Sequence, residues 1–213
     1  MPSESKSTFH IVGNDSKICT MMLNHGYYYE PLINSADCVI FTGGEDICPV
    51  LYGEVPLDRT HYNIKRDMEE IKIYKSLPWA TNKIGICRGA QFLHVMAGGS
   101  LWQDVDNHLG DHLIQVIGKD KSVMTINVSS THHQMMRDNI DCNVIARGGK
   151  SKVKKADGAE FKDITPWSDL EIVYNWTNNS LCFQPHPEYG PKSCTDLFFK
   201  LIRETFYPEK KDS

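Results

Sequence analysis

Apolar positions along the chain recur with two periods, about two and about 3.6, and the switches between them lay out the elements. Residues 9–12 form a short apolar run that stops at Gly13-Asn14-Asp15, a strand followed by a turn. Residues 16–25 carry Ile18, Met21, Met22 and Leu23 ahead of Gly26, which predicts an amphipathic helix with a glycine stop. Tyr27, Tyr28 and Tyr29 suit a second strand whose rings pack rather than stack on a ligand, and residues 36–41 a third. Residues 64–77 set Ile64, Met68, Ile71, Ile73 and Tyr74 among charges, a helix whose Arg66, Asp67, Glu69 and Glu70 would form a solvated face. Pro78 breaks it, and a buried strand begins at Lys83. Further strands are expected at 113–117, 123–128, 142–146, 170–176 and 180–183, with a closing helix over 193–206. The four lysines within 150–155 read as an exposed hairpin tip or edge, where lysine suppresses pairing with other chains. Alternating strands and helices predict an α/β fold: an open, mainly parallel sheet with helices on both faces, as one domain over residues 1–213.

Charge and composition narrow the partners. A net charge of -4 gives no electrostatic case for nucleic acid or an anionic membrane surface. No window reaches the length of an apolar membrane span, and the start MPSESKST lacks a signal-peptide core, so a cytoplasmic location is expected. Seven cysteines without a C-x-x-C pair fit a reducing compartment in which most are small buried hydrophobes. His108 and His112 are four apart, but Gly110 between them weakens a helix, and Cys182, His186 and Cys194 cluster only loosely. Neither group has the spacing of a zinc site, so no metal and no cofactor are expected.

Candidate chemistry centres on residues 83–98. An apolar run reaches Cys87, with Gly85 before it and Gly89 after it, and Phe92, Leu93, Val95 and Met96 follow at helical spacing. A strand, a sharp turn and a helix would put Cys87 where unpaired amides and the helix dipole favour a thiolate. That is a nucleophile elbow built with sulfur. Gly43 and Gly44, directly after the third strand, permit a tight turn with amides exposed to a ligand, though an ordinary strand-end turn also explains them. A thiolate needs a base and a group to orient that base. His186 and Glu188 are candidates, because Pro185 and Pro187 hold the segment extended and let the carboxylate fold back behind the ring. From the residues alone, a surface turn fits that stretch equally.

Residues 85–91, with Gly98-Gly99 and Leu101-Trp102-Gln103-Asp104 after them, resemble the nucleophile block of class I glutamine amidotransferases. Gln184-Pro185-His186-Pro187-Glu188 resembles their closing block, about a hundred residues downstream as in the family. Within that superfamily the likeness is greatest to the gamma-glutamyl hydrolase branch, peptidase C26, which contains gamma-glutamyl-gamma-aminobutyrate hydrolases. It rests on residues 43–49 with Tyr52-Gly53-Glu54, on Arg66-Asp67-Met68-Glu69-Glu70, on His132-His133-Gln134, and less closely on Asp157-Gly158-Ala159-Glu160. Pro185 departs from the branch, which usually carries an aromatic or similar group before the histidine.

The resemblance implies a flavodoxin-like fold and cysteine-dependent hydrolysis of a gamma-glutamyl amide. It implies Cys87, His186 and Glu188 as a triad, backbone amides of Gly43 or Gly44 and of Arg88 as an oxyanion hole, and Gln91, His132, His133 and Gln134 as substrate-binding residues. A glutaminase subunit that passes ammonia to a separate synthetase is an alternative, since the chain has no P-loop of its own. A non-catalytic regulatory protein with this fold is another.

Overall fold

The apolar runs become strands and the 3.6-period stretches helices. The computed structural model describes residues 7–163 and 165–208; residues 1–6 of the polar start and the charged tail from 209 lie outside them. In the first half, β1 (Thr8–Val12), α1 (Ser16–Asn24), β2 (Tyr28–Tyr29), β3 (Cys38–Phe41), α2 (Ile64–Ser76), β4 (Asn82–Ile86) and α3 (Arg88–Met96) alternate. Short strands β5 (Leu101–Trp102) and β6 (Asp104–Val105) follow, then β7 (His112–Ile117), β8 (Val123–Val128), β9 (Met135–Met136) and β10 (Asn143–Gly148). The chain closes with β11 (Val153–Ala156), β12 (Ala159–Lys162), β13 (Asp169–Asn175), β14 (Ser180–Phe183) and α4 (Lys192–Phe206). Helix α1 is started by Asp15, whose carboxylate accepts from the amides of Lys17 and Ile18 at 2.9 and 3.1 Å.

The main sheet has the order β2-β1-β3-β4-β14-β13-β10-β7-β8. Strands β2, β1, β3, β4 and β14 run parallel, and the pairs from β14–β13 outward are antiparallel. The α/β architecture expected from the alternation is therefore present, with the parallel strands on one side of the sheet. Every residue of β3 is buried, which is why its sequence is a continuous apolar run rather than an alternating one. Alternate side chains feed two cores. Ile40 and Ile86 pack with Ile18, Met22, Phe198 and Ile202 from α1 and α4. Val39 and Phe41 pack with Ile71, Ala90, Phe92 and Leu93 from α2 and α3 on the opposite face.

Two polar segments differ from expectation. The charged face of α2 is only partly solvated: Glu69 is exposed and Arg66 half-buried, but Asp67 and Glu70 are buried, and both pair with the buried Arg88. The four-lysine segment is not an edge either. Strand β11 is central in a small sheet of order β12-β11-β6, and the Lys154 ammonium is buried against Asp163 and Asp169 at 2.9 and 3.0 Å. In both places a long polar side chain has its opposite charge brought to it by a distant part of the chain, which offsets the cost of burying it.

Candidate active site

Strand β4 ends at Ile86 and α3 begins at Arg88, so Cys87 is the whole of the connection. Its backbone stands at φ 51°, ψ −110°, a conformation that costs a non-glycine residue roughly 1–3 kcal/mol. The turn is held on both sides: the Cys87 amide donates to the Phe183 carbonyl at 2.9 Å, and its carbonyl accepts from the Gln91 amide at 3.1 Å. Glycines make the close approach possible. A Cβ on Gly85 would lie 2.3 Å from the Gly89 carbonyl oxygen, and one on Gly89 would lie 2.0 Å from that of Phe41.

Because β14 pairs in parallel with β4, its carboxyl end delivers residues 184–190 beside Cys87. The Nδ1 of His186 donates to Glu188 Oε1 at 2.6 Å; the segment is not extended as expected but turns over residues 187–189, with the Gly190 amide donating to the His186 carbonyl at 3.0 Å, and this turn brings the carboxylate to the ring. With Nδ1 committed, Nε2 is the nitrogen left for the Cys87 thiol. Burial by itself lowers the His186 pKa, but hydrogen bonds to Cys87 and Glu188 outweigh it and raise the value to about 10. Burial raises the thiol pKa values of Cys38, Cys182 and Cys194 to about 12.

Support for His186 comes from residues the sequence did not single out. The hydroxyl of Ser129 accepts from the His186 amide at 2.9 Å and donates to its carbonyl at 2.8 Å. The ring of Tyr189 stacks on the imidazole with centroids 4.5 Å apart. Ser129 lies in the polar stretch 129–134, whose spacing carries no such signal, and Tyr189 adjoins Glu188, but nothing in the local spacing marks its ring as a platform.

The Gly43-Gly44 loop lies across the same site. A Cβ on Gly43 would be 3.1 Å from His186 Cε1 and 3.8 Å from Cys87 Cβ. Gly44 has φ +147°, and a Cβ there would be 2.1 Å from Arg66 Nη1. That guanidinium anchors the loop, donating to the Gly43 carbonyl at 2.9 Å and to Glu45 at 2.6 Å. Its Nε donates to Glu70 at 2.9 Å, and Glu70 and Asp67 then accept from Arg88, each at 2.5 Å. One buried network thus joins the glycine loop, α2 and the first residue after Cys87. As the first residue of α3, Arg88 also has an amide without an intrahelical partner.

Cys87 opens into a cavity of about 190 Å³ lined by Gly44, Glu45, Asp46 and His61 and by all four expected substrate-binding residues. That is below the roughly 300–1,000 Å³ of pockets for drug-sized ligands, and suits a group of amino-acid size. Gln91 and His132 each donate to the Gln134 carbonyl at 2.8 Å, so both also shape the wall. Burial and the neighbouring His108 push the His132 pKa down to about 3, leaving a neutral ring. Gln134 Oε1 accepts from the Ile47 amide at 3.1 Å while its Nε2 is buried without a partner. His133 reaches Asp46 at 3.1 Å, and that hydrogen bond raises its pKa. Asp46 and His61 join the pocket as residues the sequence reading did not assign to it.

Known proteins resemble this chain in sequence or in fold. The family model of peptidase C26 matches residues 17–188. The glutamine amidotransferase-like protein YvdE of Lactococcus lactis is 31% identical over 189 residues, covering 80% of this chain and 72% of its own. Among solved structures, a Thermoplasma acidophilum protein assigned as one of the subunits of a GMP synthase superposes with a TM-score of 0.63 at 15% identity, over 93% of this chain and 94% of its own. PurLQS of Thermotoga maritima superposes with a TM-score of 0.58 at 17% identity, over 93% and 99%. At these identities the two structures speak for the fold.

Proposed function

Since the chain belongs to the peptidase C26 family, within the class I glutamine amidotransferase-like superfamily, we propose that it hydrolyses a gamma-glutamyl amide through a thioester on Cys87. The observation that carries this reading is Cys87 at φ 51° between β4 and α3, with the hydrogen-bonded His186–Glu188 pair against it. In the proposed cycle the Cys87 thiolate attacks the carboxamide carbon. Backbone amides of Gly43 or Gly44 and of Arg88 receive the oxyanion. His186 gives its proton to the departing amine, the thioester forms, and His186 then takes a proton from the attacking water. Glutamate and the amine, or ammonia, are the products, and the thiol is regenerated. Glu188 keeps His186 in the tautomer and orientation that both proton transfers need. Gln91, His132, His133 and Gln134 hold the glutamyl moiety.

The test is a panel of glutamine and gamma-glutamyl amines, with release of glutamate and of the amine measured separately. Turnover of at least one substrate by the wild-type protein, absent in Cys87→Ala, is expected, as is labelling of Cys87 by a glutamine-analogue electrophile. Undiminished hydrolysis by Cys87→Ala, or labelling at Cys48 or Cys182, would overturn the assignment. A second reading, a glutaminase subunit serving a separate synthetase, is supported by the fold shared with the protein assigned to a GMP synthase. It requires slow turnover alone and acceleration by a partner.

A further inference from the structure

Three side chains from separate segments converge beside the active-site loop: His108 from the turn before β7, His112 from β7 and Glu171 from β13. One ligand-type atom of each lies within 4.8 Å of the others, and all three residues are buried. His112 Nε2 is 2.8 Å from Glu171 Oε1, and His108 Nε2 is 3.4 Å from the same oxygen. His108 Nδ1 lies 3.0 Å from the Asp106 carbonyl, which can only accept, so Nδ1 carries a proton and Nε2 is the nitrogen turned toward the carboxylate. His132, whose ring centroid is 4.9 Å from that of His108, has the same arrangement, with Nδ1 donating to the Gln134 carbonyl. His108 Nε2, His132 Nε2 and Glu171 Oε2 are all buried without a hydrogen-bond partner. A proton added to one ring would satisfy one pair of these acceptors. An ion accepts several lone pairs at once.

We propose that His108, His112 and Glu171 bind a divalent metal ion of the zinc type. Two imidazoles and a carboxylate form a ligand set suited to it, and His108, whose other nitrogen donates to a backbone carbonyl, is oriented as metal-bound histidines are, whereas His112 Nδ1 is buried without a partner. His112 also lines a surface cleft of about 440 Å³ with Leu113, Gly149, Lys150, Pro166 and Trp167, which gives the ion a path inward. The site is structural. The His108 carbonyl accepts from the Ser130 hydroxyl at 2.6 Å, next to the Ser129 that clamps His186, so an ion here braces the loop behind the proposed catalytic histidine.

The test uses Cys87→Ala protein, stripped with a chelator, so that a Cys87–His186 pair cannot hold the ion. Titration with zinc alone should give one ion per chain. Affinity should fall on the order of 100-fold or more when His112→Gln or Glu171→Gln is added, with circular dichroism confirming the fold. Cobalt(II) in the Cys87→Ala protein should show ligand-field bands without thiolate charge transfer, a measurement that needs no further variant. Absence of zinc binding in Cys87→Ala, binding unaffected by His112→Gln in folded protein, or a cobalt-thiolate band would each overturn the site.

Discussion

At the scale of single residues, the chemistry depends on how buried charges are matched. The His186 pKa, held near 10 in the folded protein against an ordinary 6.5, ties stability to pH. A raised value means that its stabilising contribution is fully present below pH 6.5 and is lost as pH climbs through 10. Urea midpoints of the wild type should therefore fall between those limits more steeply than those of Glu188→Gln, in which one of the two hydrogen bonds supporting the imidazolium is weakened. Parallel slopes would contradict this. Arg88 poses the opposite case. Its side chain answers both Asp67 and Glu70 in a buried setting, so Arg88→Met leaves Asp67 without a counter-charge and Glu70 with Arg66 alone, while sparing the amide proposed for the oxyanion hole. A loss of about 3–5 kcal/mol is expected by chemical denaturation. The local pattern of α2 pointed to solvent because a helix face of alternating charge usually lies there, and the partner that buries it is 18 to 21 residues away, across a strand and a turn.

At the scale of elements, the strand-turn-helix around Cys87 works only if backbones approach closely. Replacing Gly89 by alanine would drive a methyl group into the Phe41 carbonyl, and the strand cannot retreat without disturbing β1 and β4, which flank β3. Destabilisation of roughly 1–3 kcal/mol is expected in Gly89→Ala, measured by urea unfolding. The glycine loop should respond differently. In Gly44→Val the side chain meets the Arg66 guanidinium rather than a strand, and the residue must also hold φ +147°. We expect kcat to drop on the order of 100-fold, the scale of losing one oxyanion donor, with a smaller change in thermal stability. An unchanged kcat would remove this loop from the proposed oxyanion hole. These elements were legible beforehand because each is local: a run of apolar residues, then glycine, cysteine and glycine, then helical spacing.

At the scale of the molecule, the central parallel strands β3, β4 and β14 are almost wholly buried and carry the proposed site at their carboxyl ends. Amides of β4 and β14, each paired on both sides, should exchange with solvent only through global unfolding, whereas those of the edge strands β2 and β8 should exchange through local opening. Hydrogen exchange read by NMR or mass spectrometry checks this; equal protection at the edges and centre would argue against the sheet order. Among the described residues no helix is long and apolar enough to cross a membrane. The sequence by itself determined the order of most elements, the elbow at Cys87 and its likeness to one hydrolase family, because periodicity, glycine placement and short motifs are properties of neighbouring residues. Only the tertiary structure decided that Glu188 turns back onto His186, that Ser129 clamps that histidine, that Lys154 and Asp67 are buried, and that His108, His112 and Glu171 meet. Those facts depend on segments up to about sixty residues apart reaching the same few ångströms, and burial then makes each unpaired charge or lone pair costly enough to demand a partner.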